Sequence, residues 1–182
     1  MIIVFEGHDM TGKTNIAHEL TKQDFMSKYK IFKSKAEHGR WWDPCVSSLY
    51  SWSAFLGVIE LYKLDIIFDR FFPSEYAYGN AFNRNISENM IFKFDKQCAD
   101  YGCVIIYCYK DEASYQEDDE KITPMDKYND IKKYYEEFFA KTKCKVIRLN
   151  TSSENLSEQI AFLTNELKKF EVENEHRNIQ NR

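Results

Sequence analysis

With 182 residues, the chain has the length of one compact domain with a sizeable core. Its content of 43% apolar and 16% aromatic residues argues against intrinsic disorder. The 29 acidic residues outnumber the 25 basic ones, and the net charge of −4 excludes a general attraction to nucleic acid or to anionic lipid. We therefore expect neither a nucleic-acid polymer nor a membrane as a partner.

The cysteines and the amino-terminal residues predict a cytoplasmic protein. The five cysteines are an odd set without metal-ligand spacing, so buried and reduced thiols are the simplest interpretation. The first apolar run covers residues 2–5, which is too short for a signal peptide, and no apolar run reaches membrane length.

Short apolar runs alternate with segments of helical periodicity along the chain. Strands are predicted at residues 2–5, 29–33, 64–68, 103–109 and 145–149. Helices are predicted at residues 13–22, 46–62, 88–100 with Ser87 as the cap, 125–141, and 153–170 with Ser152 or Ser153 as the cap. Residues 171–182 are polar and are expected to fray. Five strands separated by helices predict an α/β fold, a parallel sheet covered on both faces.

The clearest motif is Gly7-x-x-x-x-Gly12-Lys13-Thr14, which follows the first strand and opens the first helix. Glycines let the backbone approach phosphates, and the N–H groups and the helix amino terminus attract anions. Lys13 is expected to reach the outer phosphates of ATP, and Thr14 to bind Mg²⁺. The whole loop is predicted to hold the nucleotide: Gly7, His8, Asp9, Met10, Thr11, Gly12, Lys13 and Thr14.

A second motif begins with Asp69-Arg70, directly after a buried strand. Asp69 is expected to hold the water shell of Mg²⁺, and Arg70 to bind a phosphate through two parallel hydrogen bonds. An ordinary structural ion pair is the alternative. Because ligands in parallel sheets bind beyond the carboxyl ends of the strands, we expect this pair to lie close to the first motif.

Residues 110–124 lie between a strand and a helix, where a mobile lid over the phosphates would fit. The segment holds six carboxylates between Lys110 and Lys121, and these would repel a triphosphate. A solvated acidic loop is an equally good interpretation.

Both motifs resemble those of the thymidylate kinase family. Phe5-Glu6-Gly7-x-Asp9-x-x-Gly12-Lys13-Thr14 is similar to that family's phosphate-binding loop, and Asp69-Arg70-Phe71-x-x-Ser74-x-x-Ala77-Tyr78 is similar to its second segment. The resemblance implies a P-loop NTPase fold, a three-layer sandwich with a five-stranded parallel sheet and a small lid, over a single domain of residues 1–182. It also implies a homodimer.

The resemblance also implies roles for single residues. Asp9 would contact the 3′-hydroxyl of the acceptor nucleotide, and Arg70 would hold the acceptor's phosphate. Ser74 and Tyr78 would line the pocket for the sugar and the base. Glu75 stands where relatives often place a residue that reads the base.

The helix at 46–62 would form the wall of that pocket, with Trp52 or Phe55 stacking on the base; an aromatic stripe at helical spacing is also typical of a core. In relatives, the loop after the second strand helps to bind the acceptor's phosphate. Lys33 and Arg40 are the candidates for that task here.

Two departures from the family pattern stand out. The helix at 46–62 contains no arginine, although relatives use one there to read thymine. Relatives also carry a catalytic arginine in the phosphate loop or in the lid, whereas this loop has Met10 and no arginine occurs between Arg84 and Arg148. Lys110, Lys121 or Arg84 are possible substitutes.

Together these features predict transfer of the γ-phosphoryl group from ATP·Mg²⁺ to a small-molecule acceptor, a deoxynucleoside monophosphate such as dTMP or a related pyrimidine nucleotide. Lys13, Arg70 and Asp9 are the predicted catalytic residues. The alternative is a deoxynucleoside kinase in which a carboxylate such as Glu6 activates the 5′-hydroxyl. A nucleotide-dependent switch or a non-enzymatic nucleotide-binding protein is a third hypothesis, although the guanine motif N-K-x-D is absent.

Overall fold

The computed structural model describes residues 1–33, 45–111, 114, 125–153 and 155–180, without the side chains of residues 45–51 and 175–180. In this part of the chain strands alternate with helices. The strands are β1 (Ile2–Glu6), β2 (Lys30–Lys33), β3 (Ile66–Asp69), β4 (Cys103–Tyr109) and β5 (Lys145–Asn150). The α-helices are α1 (Lys13–Thr21), α2 (Cys45–Tyr62), α3 (Phe72–Ala81), α4 (Glu88–Asp100), α5 (Met125–Lys141) and α6 (Leu156–Gln180).

The strands form one parallel sheet in the order β2-β3-β1-β4-β5. Strand β1 lies in the centre, where Ile2 is paired with Ile66 of β3 on one side and with Cys103 of β4 on the other. After β1 the chain forms β2 and β3 on one side of that strand, and it then crosses to form β4 and β5 on the other side. This change of direction makes a switch point in the sheet, at which the carboxyl ends of β1, β3 and β4 lie close together.

Alternation along β1 divides the core into two layers. Ile2 and Val4 point to the face covered by α2 and α4, whereas Ile3 and Phe5 point to the face covered by α1 and α6. All four side chains are at most 1% exposed. The predicted α/β fold with a parallel sheet and helices on both faces is therefore confirmed.

The predicted strands and most helices are found, with ends that shift by one or two residues. Helix α3 was not predicted; Pro73 stands in its first turn, where a missing N–H costs nothing. Ser87 is the residue before α4, but its side chain makes no capping hydrogen bond. Most of the predicted lid at 110–124 lies outside the described residues.

The closing helix differs from the prediction. It begins at Leu156 rather than at 153, because Asn155 is the capping residue and its Oδ1 accepts a hydrogen bond of 3.2 Å from the N–H of Glu158. Ser152 instead binds Asp111 at the end of β4. The helix continues to Gln180, so it includes residues 171–180 of the tail, for which fraying stays a prediction.

Four cysteines are buried and free, as predicted: Cys98, Cys103, Cys108 and Cys144. No helix in the described ranges combines the length and the apolarity that a bilayer crossing requires.

Candidate active site

The phosphate loop, residues 7–14, joins β1 to α1 at the switch point of the sheet. Gly7 has φ +133°, and a Cβ atom added there would lie 2.0 Å from the backbone oxygen of Cys108 on β4. Gly12, directly before α1, has φ +78°. Both positions favour glycine, the first through close approach of another strand and both through backbone conformation. The loop is therefore pressed against the sheet.

Lys13 lies inside the loop and is only 6% exposed. Its Nζ donates hydrogen bonds to the backbone oxygen of His8 and, at 3.2 Å, to Oγ1 of Thr11. Burial, together with repulsion from the nearby Arg70, lowers the pKa of Lys13 to about 8. A bound anion would oppose both effects, so the buried ammonium group of Lys13 suits a negatively charged ligand in the loop.

Thr14 and Asp69 come together at the ends of the loop and of β3. Thr14 Oγ1 donates a 2.6 Å hydrogen bond to Asp69 Oδ2, and the Asp69 side chain is almost fully buried. Lys33 Nζ lies 3.7 Å from the same carboxylate oxygen. A hydroxyl and a carboxylate side by side are the hard oxygen donors that suit Mg²⁺, directly or through its waters. Lys33, predicted to bind the acceptor's phosphate, is thus paired with this carboxylate.

Arg70 follows β3 in a left-handed conformation, with φ +68°. Its Nη2 donates a 2.6 Å hydrogen bond to Asp9 of the phosphate loop. On its other side, Nη1 lies 3.4 Å from Ser74 Oγ, and the guanidinium stands 4.9 Å from the centre of the Tyr78 ring. Tyr78 also donates to Asp9, at 3.4 Å. The structure therefore brings the two sequence motifs together through Arg70 and Asp9.

Glu6, at the end of β1, is a buried carboxylate that contacts the residues around Arg70. The side chain is 0% exposed, and its Oε1 accepts a 2.7 Å hydrogen bond from the backbone N–H of Phe71. Its Oε2 accepts hydrogen bonds from Ser74 Oγ and from Tyr135 of α5. Burial raises the pKa of Glu6 against the effect of these donors and of Arg70. Both oxygens are engaged by the protein, which disfavours Glu6 as a catalytic base for a 5′-hydroxyl.

His8 connects the phosphate loop to α5. Its ring stacks on Tyr128 with 4.2 Å between the centroids, and its Nε2 lies 2.9 Å from the Tyr128 backbone oxygen. Because a carbonyl oxygen only accepts, Nε2 carries the proton in this contact. Burial lowers the pKa of His8 to about 4. The Tyr128 hydroxyl in turn donates 2.7 Å to the backbone oxygen of Lys110, just after β4.

The aromatic candidates of α2 are half-buried and packed against the core. Trp52 lies 4.7 Å from the ring of Phe71, next to Arg70. Phe55 is farther along the helix, against Phe32 at 5.9 Å and Phe68 at 6.2 Å. Trp52 is therefore the one of the two that borders the residues around Arg70, and stacking on a base stays a prediction.

The remaining candidates have different locations. Glu75 lies on α3 beside Ser74, half-buried, and burial raises the pKa of its carboxyl while Arg84 opposes that effect. Arg84 lies after α3, with its guanidinium 5.3 Å from the centre of the Phe82 ring. Arg40 and Lys121 lie outside the described residues.

Sequence reasoning missed two residues of this site, Tyr128 and Tyr135. Both belong to the buried stripe of α5, where helical periodicity identifies a core face but gives no sign of a polar role. The hydroxyl groups in an otherwise apolar stripe are the one available signal, because a buried tyrosine hydroxyl usually finds a hydrogen-bond partner.

Comparison with known proteins gives relatives in structure alone. No protein-family model and no curated protein matches the sequence. The structure is similar to that of the YorR protein of Bacillus subtilis, described in complex with phosphorylated GDP, with a TM-score of 0.65, 22% identity, and coverage of 97% of this chain and 98% of that one. It is similar to thymidylate kinase from Ehrlichia chaffeensis, with a TM-score of 0.60, 17% identity, and coverage of 92% and 98%.

A third similar structure is deoxyadenosine kinase from M. mycoides with the products dCMP and dCDP bound, with a TM-score of 0.58, 18% identity, and coverage of 93% of this chain and 100% of that one. At these identities the likeness shows the fold. This protein therefore has the α/β fold of P-loop nucleotide and nucleoside kinases, and its resemblance to thymidylate kinases extends from two motifs to the architecture of the chain.

Proposed function

We propose that this protein transfers the γ-phosphoryl group of ATP to the phosphate of a deoxynucleoside monophosphate and so forms the diphosphate. The observation that carries the proposal is the pairing of Arg70 with Asp9 next to a buried Lys13. Lys13 lies in the phosphate loop after β1, and Arg70 follows the neighbouring strand β3. The two cations have different hydrogen-bond partners and lie at the same edge of the sheet. This arrangement suits two phosphorylated molecules that meet between them.

The chemistry asks for alignment and charge neutralisation rather than for a base. An acceptor phosphate oxygen is already a nucleophile, so Lys13 and Arg70 need only position the reacting groups and balance negative charge in the transition state. Thr14 and Asp69 would hold Mg²⁺, which supplies further neutralisation when bound. Asp9 orients Arg70 through a 2.6 Å hydrogen bond and would contact the acceptor's sugar together with Tyr78.

The state of Glu6 favours a monophosphate over a nucleoside as acceptor. A nucleoside kinase needs a carboxylate near the 5′-hydroxyl, and Glu6 is committed to Phe71, Ser74 and Tyr135. A guanidinium in the acceptor half of the site, by contrast, serves a charged acceptor.

The test is ADP formation by the purified protein with ATP and Mg²⁺ alone, with deoxynucleosides, and with deoxynucleoside monophosphates. We expect turnover with monophosphates, and loss of this turnover in Arg70→Lys, which keeps the charge but not the planar fork. Turnover with nucleosides would establish the alternative kinase, and equal turnover without any acceptor would establish an ATPase or a switch. Either result would overturn the proposal.

We further propose a homodimer that forms through α2. Ala54, Gly57, Val58 and Leu61 recur at helical spacing on its exposed side, and Leu61 is 73% exposed. Nothing lies within 4 Å of a Cβ atom added at Gly57, so a second helix could approach closely there. Light scattering should give twice the chain mass for the wild type and the single mass for Leu61→Glu; a monomeric wild type would contradict this.

A further inference from the structure

Two tyrosines of α5 contact the ring of His8. Tyr128 and Tyr135 are two helical turns apart, about 10.5 Å along the axis, so they share the buried face of the helix. The His8 ring stacks on Tyr128 with 4.2 Å between the centroids, and it meets the Tyr135 ring edge-on at 6.2 Å. One residue of the phosphate loop is therefore in contact with both rings.

The backbone of the same residue supports Lys13. The His8 backbone oxygen accepts hydrogen bonds from Lys13 Nζ and, at 2.8 Å, from Thr11 Oγ1. The peptide group that holds the ammonium group and the ring that contacts α5 belong to one residue, so a shift of the ring would disturb both hydrogen bonds. The contacts of His8 with α5 therefore help to set the position of Lys13.

The hydroxyl group of Tyr135 contacts the other half of the site. It donates a 2.9 Å hydrogen bond to Oε2 of Glu6 and lies 3.0 Å from Ser74 Oγ. Ser74 Oγ in turn lies 3.4 Å from Arg70 Nη1. The Tyr78 ring, on which the Arg70 guanidinium stands, meets the Tyr135 ring edge-on at 6.3 Å. Tyr135 thus contacts three of the residues that surround Arg70.

Tyr135 is held in one place by the core. Its side chain is 0% exposed, and its ring packs on Tyr107 of β4 at 5.1 Å and on Phe139 of α5 at 5.8 Å. A side chain enclosed by the sheet and by its own helix has few alternative rotamers. It is therefore a fixed point for the groups that touch it from both halves of the site.

We propose that Tyr135 is a positioning residue shared by the two halves of the site. Its hydroxyl group positions Ser74 beside Arg70 in the acceptor half, whereas its ring positions His8 in the phosphate loop. This proposal rests on the proposed function, since the two halves are those of the phosphoryl transfer. Because one rigid side chain serves both halves, it aligns the phosphate groups of the two substrates with each other.

Substitutions at position 135 separate the two roles. Tyr135→Phe keeps the ring and loses the hydroxyl group, so the KM for the acceptor monophosphate should rise by about threefold to tenfold, as the loss of one hydrogen bond gives, while the KM for ATP stays near the wild-type value. Tyr135→Leu also loses the ring, and the KM for ATP should then rise by a similar factor of about three to ten. A wild-type KM for ATP in Tyr135→Phe is the rescue that assigns this second effect to the ring.

His8→Leu removes the same ring contact from the side of the loop. We expect this variant to raise the KM for ATP and to leave the KM for the acceptor near the wild-type value. The isosteric Tyr135→Phe tests the acceptor half and His8→Leu the phosphate loop, so both roles are tested even where Tyr135→Leu does not fold.

Tyr134 provides the matched controls Tyr134→Phe and Tyr134→Leu. It is the adjacent tyrosine of α5, half-buried, with Lys133 Nζ 5.4 Å from the centre of its ring. Both control variants should keep both KM values. Since KM does not depend on the fraction of folded enzyme, a loss of stability does not imitate the expected effects.

A purely structural role of Tyr135 predicts lower melting temperatures with both KM values unchanged, and that result would overturn the proposal. An equal rise of both KM values in Tyr135→Phe would also overturn it, because the hydroxyl group would then not be specific to the acceptor half. Calorimetric titration with ADP and Mg²⁺, without any acceptor, should show weaker binding for His8→Leu and wild-type binding for Tyr135→Phe. No turnover of any monophosphate by the wild type refutes the proposed function, whereas wild-type turnover with unchanged KM values in the variants refutes the role of Tyr135 alone.

Discussion

The two halves of the candidate site are built differently. The phosphate loop consists of eight consecutive residues, and its shape is set by backbone conformation at Gly7 and Gly12 and by close contact with β4. The acceptor half is assembled from side chains that are distant in sequence: Arg70 and Tyr78 are held by Asp9 from the loop and, through Ser74, by Glu6 and Tyr135. We therefore expect a side chain added at a loop glycine to disrupt the phosphate loop. The acceptor half, which is made of side chains, can change its ligand specificity through single substitutions.

The largest effect is expected for Lys13→Ala, which removes the ammonium group from the phosphate loop. We expect kcat to fall by at least about a thousandfold, because a charge that acts on the transferred group is lost. Lys22→Ala is the matched control, since Lys22 is exposed at the end of α1 and pairs with Glu19. Steady-state ADP formation measures both, and near-normal turnover of Lys13→Ala would exclude this role.

Gly7→Ala tests whether the loop is defined by its backbone. The new methyl group would meet the Cys108 backbone oxygen at 2.0 Å, and the φ of +133° disfavours any side chain. We expect a loss of at least about 3 kcal/mol in the free energy of unfolding. Ala161→Gly at an exposed position of α6 is the control, because it exchanges the same two residue types, and it should lower stability by only about 0.5–1 kcal/mol. Similar urea midpoints for the two variants would refute the comparison.

Glu6→Gln tests the acceptor half. Both carboxylate oxygens of Glu6 accept hydrogen bonds, and in the variant an NH₂ group, which can only donate, replaces one of these oxygens. We therefore expect the free energy of unfolding to fall by about 1–3 kcal/mol. The KM for the acceptor should rise while the KM for ATP stays near the wild-type value, since the phosphate loop does not depend on these bonds. A rise in the KM for ATP alone would show that Glu6 supports the other half.

The smallest effect concerns His8 and pH. Burial lowers the pKa of His8 from 6.5 to about 4, so below pH 6.5 the unfolded chain takes up a proton that the folded chain excludes. Stability contributed by neutral His8 is complete above pH 6.5 and is lost as the pH falls toward 4. At pH 5 the expected loss is about 2 kcal/mol.

His8→Gln keeps an N–H that can donate to the Tyr128 oxygen but does not titrate. Denaturant unfolding of the two proteins at pH 7 and pH 5 should therefore show a steeper acid loss for the wild type. Equal losses in both proteins would show that His8 is not the group responsible.

The sequence predicted the half of the site that is local. Eight adjacent residues with two glycines determine the loop, and apolar runs determine the strands, because both signals depend on near neighbours. The contacts of Arg70 with Asp9 and of Glu6 with Tyr135 join residues 61 and 129 positions apart, and no local pattern reports such distances. The motifs indicated that the residues belong to one site but not how they pair.

The missed features have physical reasons of the same kind. Tyr128 and Tyr135 follow the apolar periodicity of α5, and this periodicity predicts a core position without indicating a polar role for their hydroxyl groups. The predicted start of α6 is wrong because several polar residues before the helix could act as its cap. In the folded protein Ser152 binds Asp111, and Asn155 is the capping residue. Helix α3 is not predicted because Pro73 and the polar residues beside it are typical of a loop.

The transfer itself is tested most directly by following the γ-phosphoryl group of ATP. The protein is incubated with Mg²⁺, γ-labelled ATP and dCMP or dTMP, and the products are separated by chromatography. The account predicts that the label appears in the β-phosphate of the deoxynucleoside diphosphate and that Arg70→Lys abolishes this product. Label found only in inorganic phosphate, or in a monophosphate formed from an added nucleoside, would contradict it.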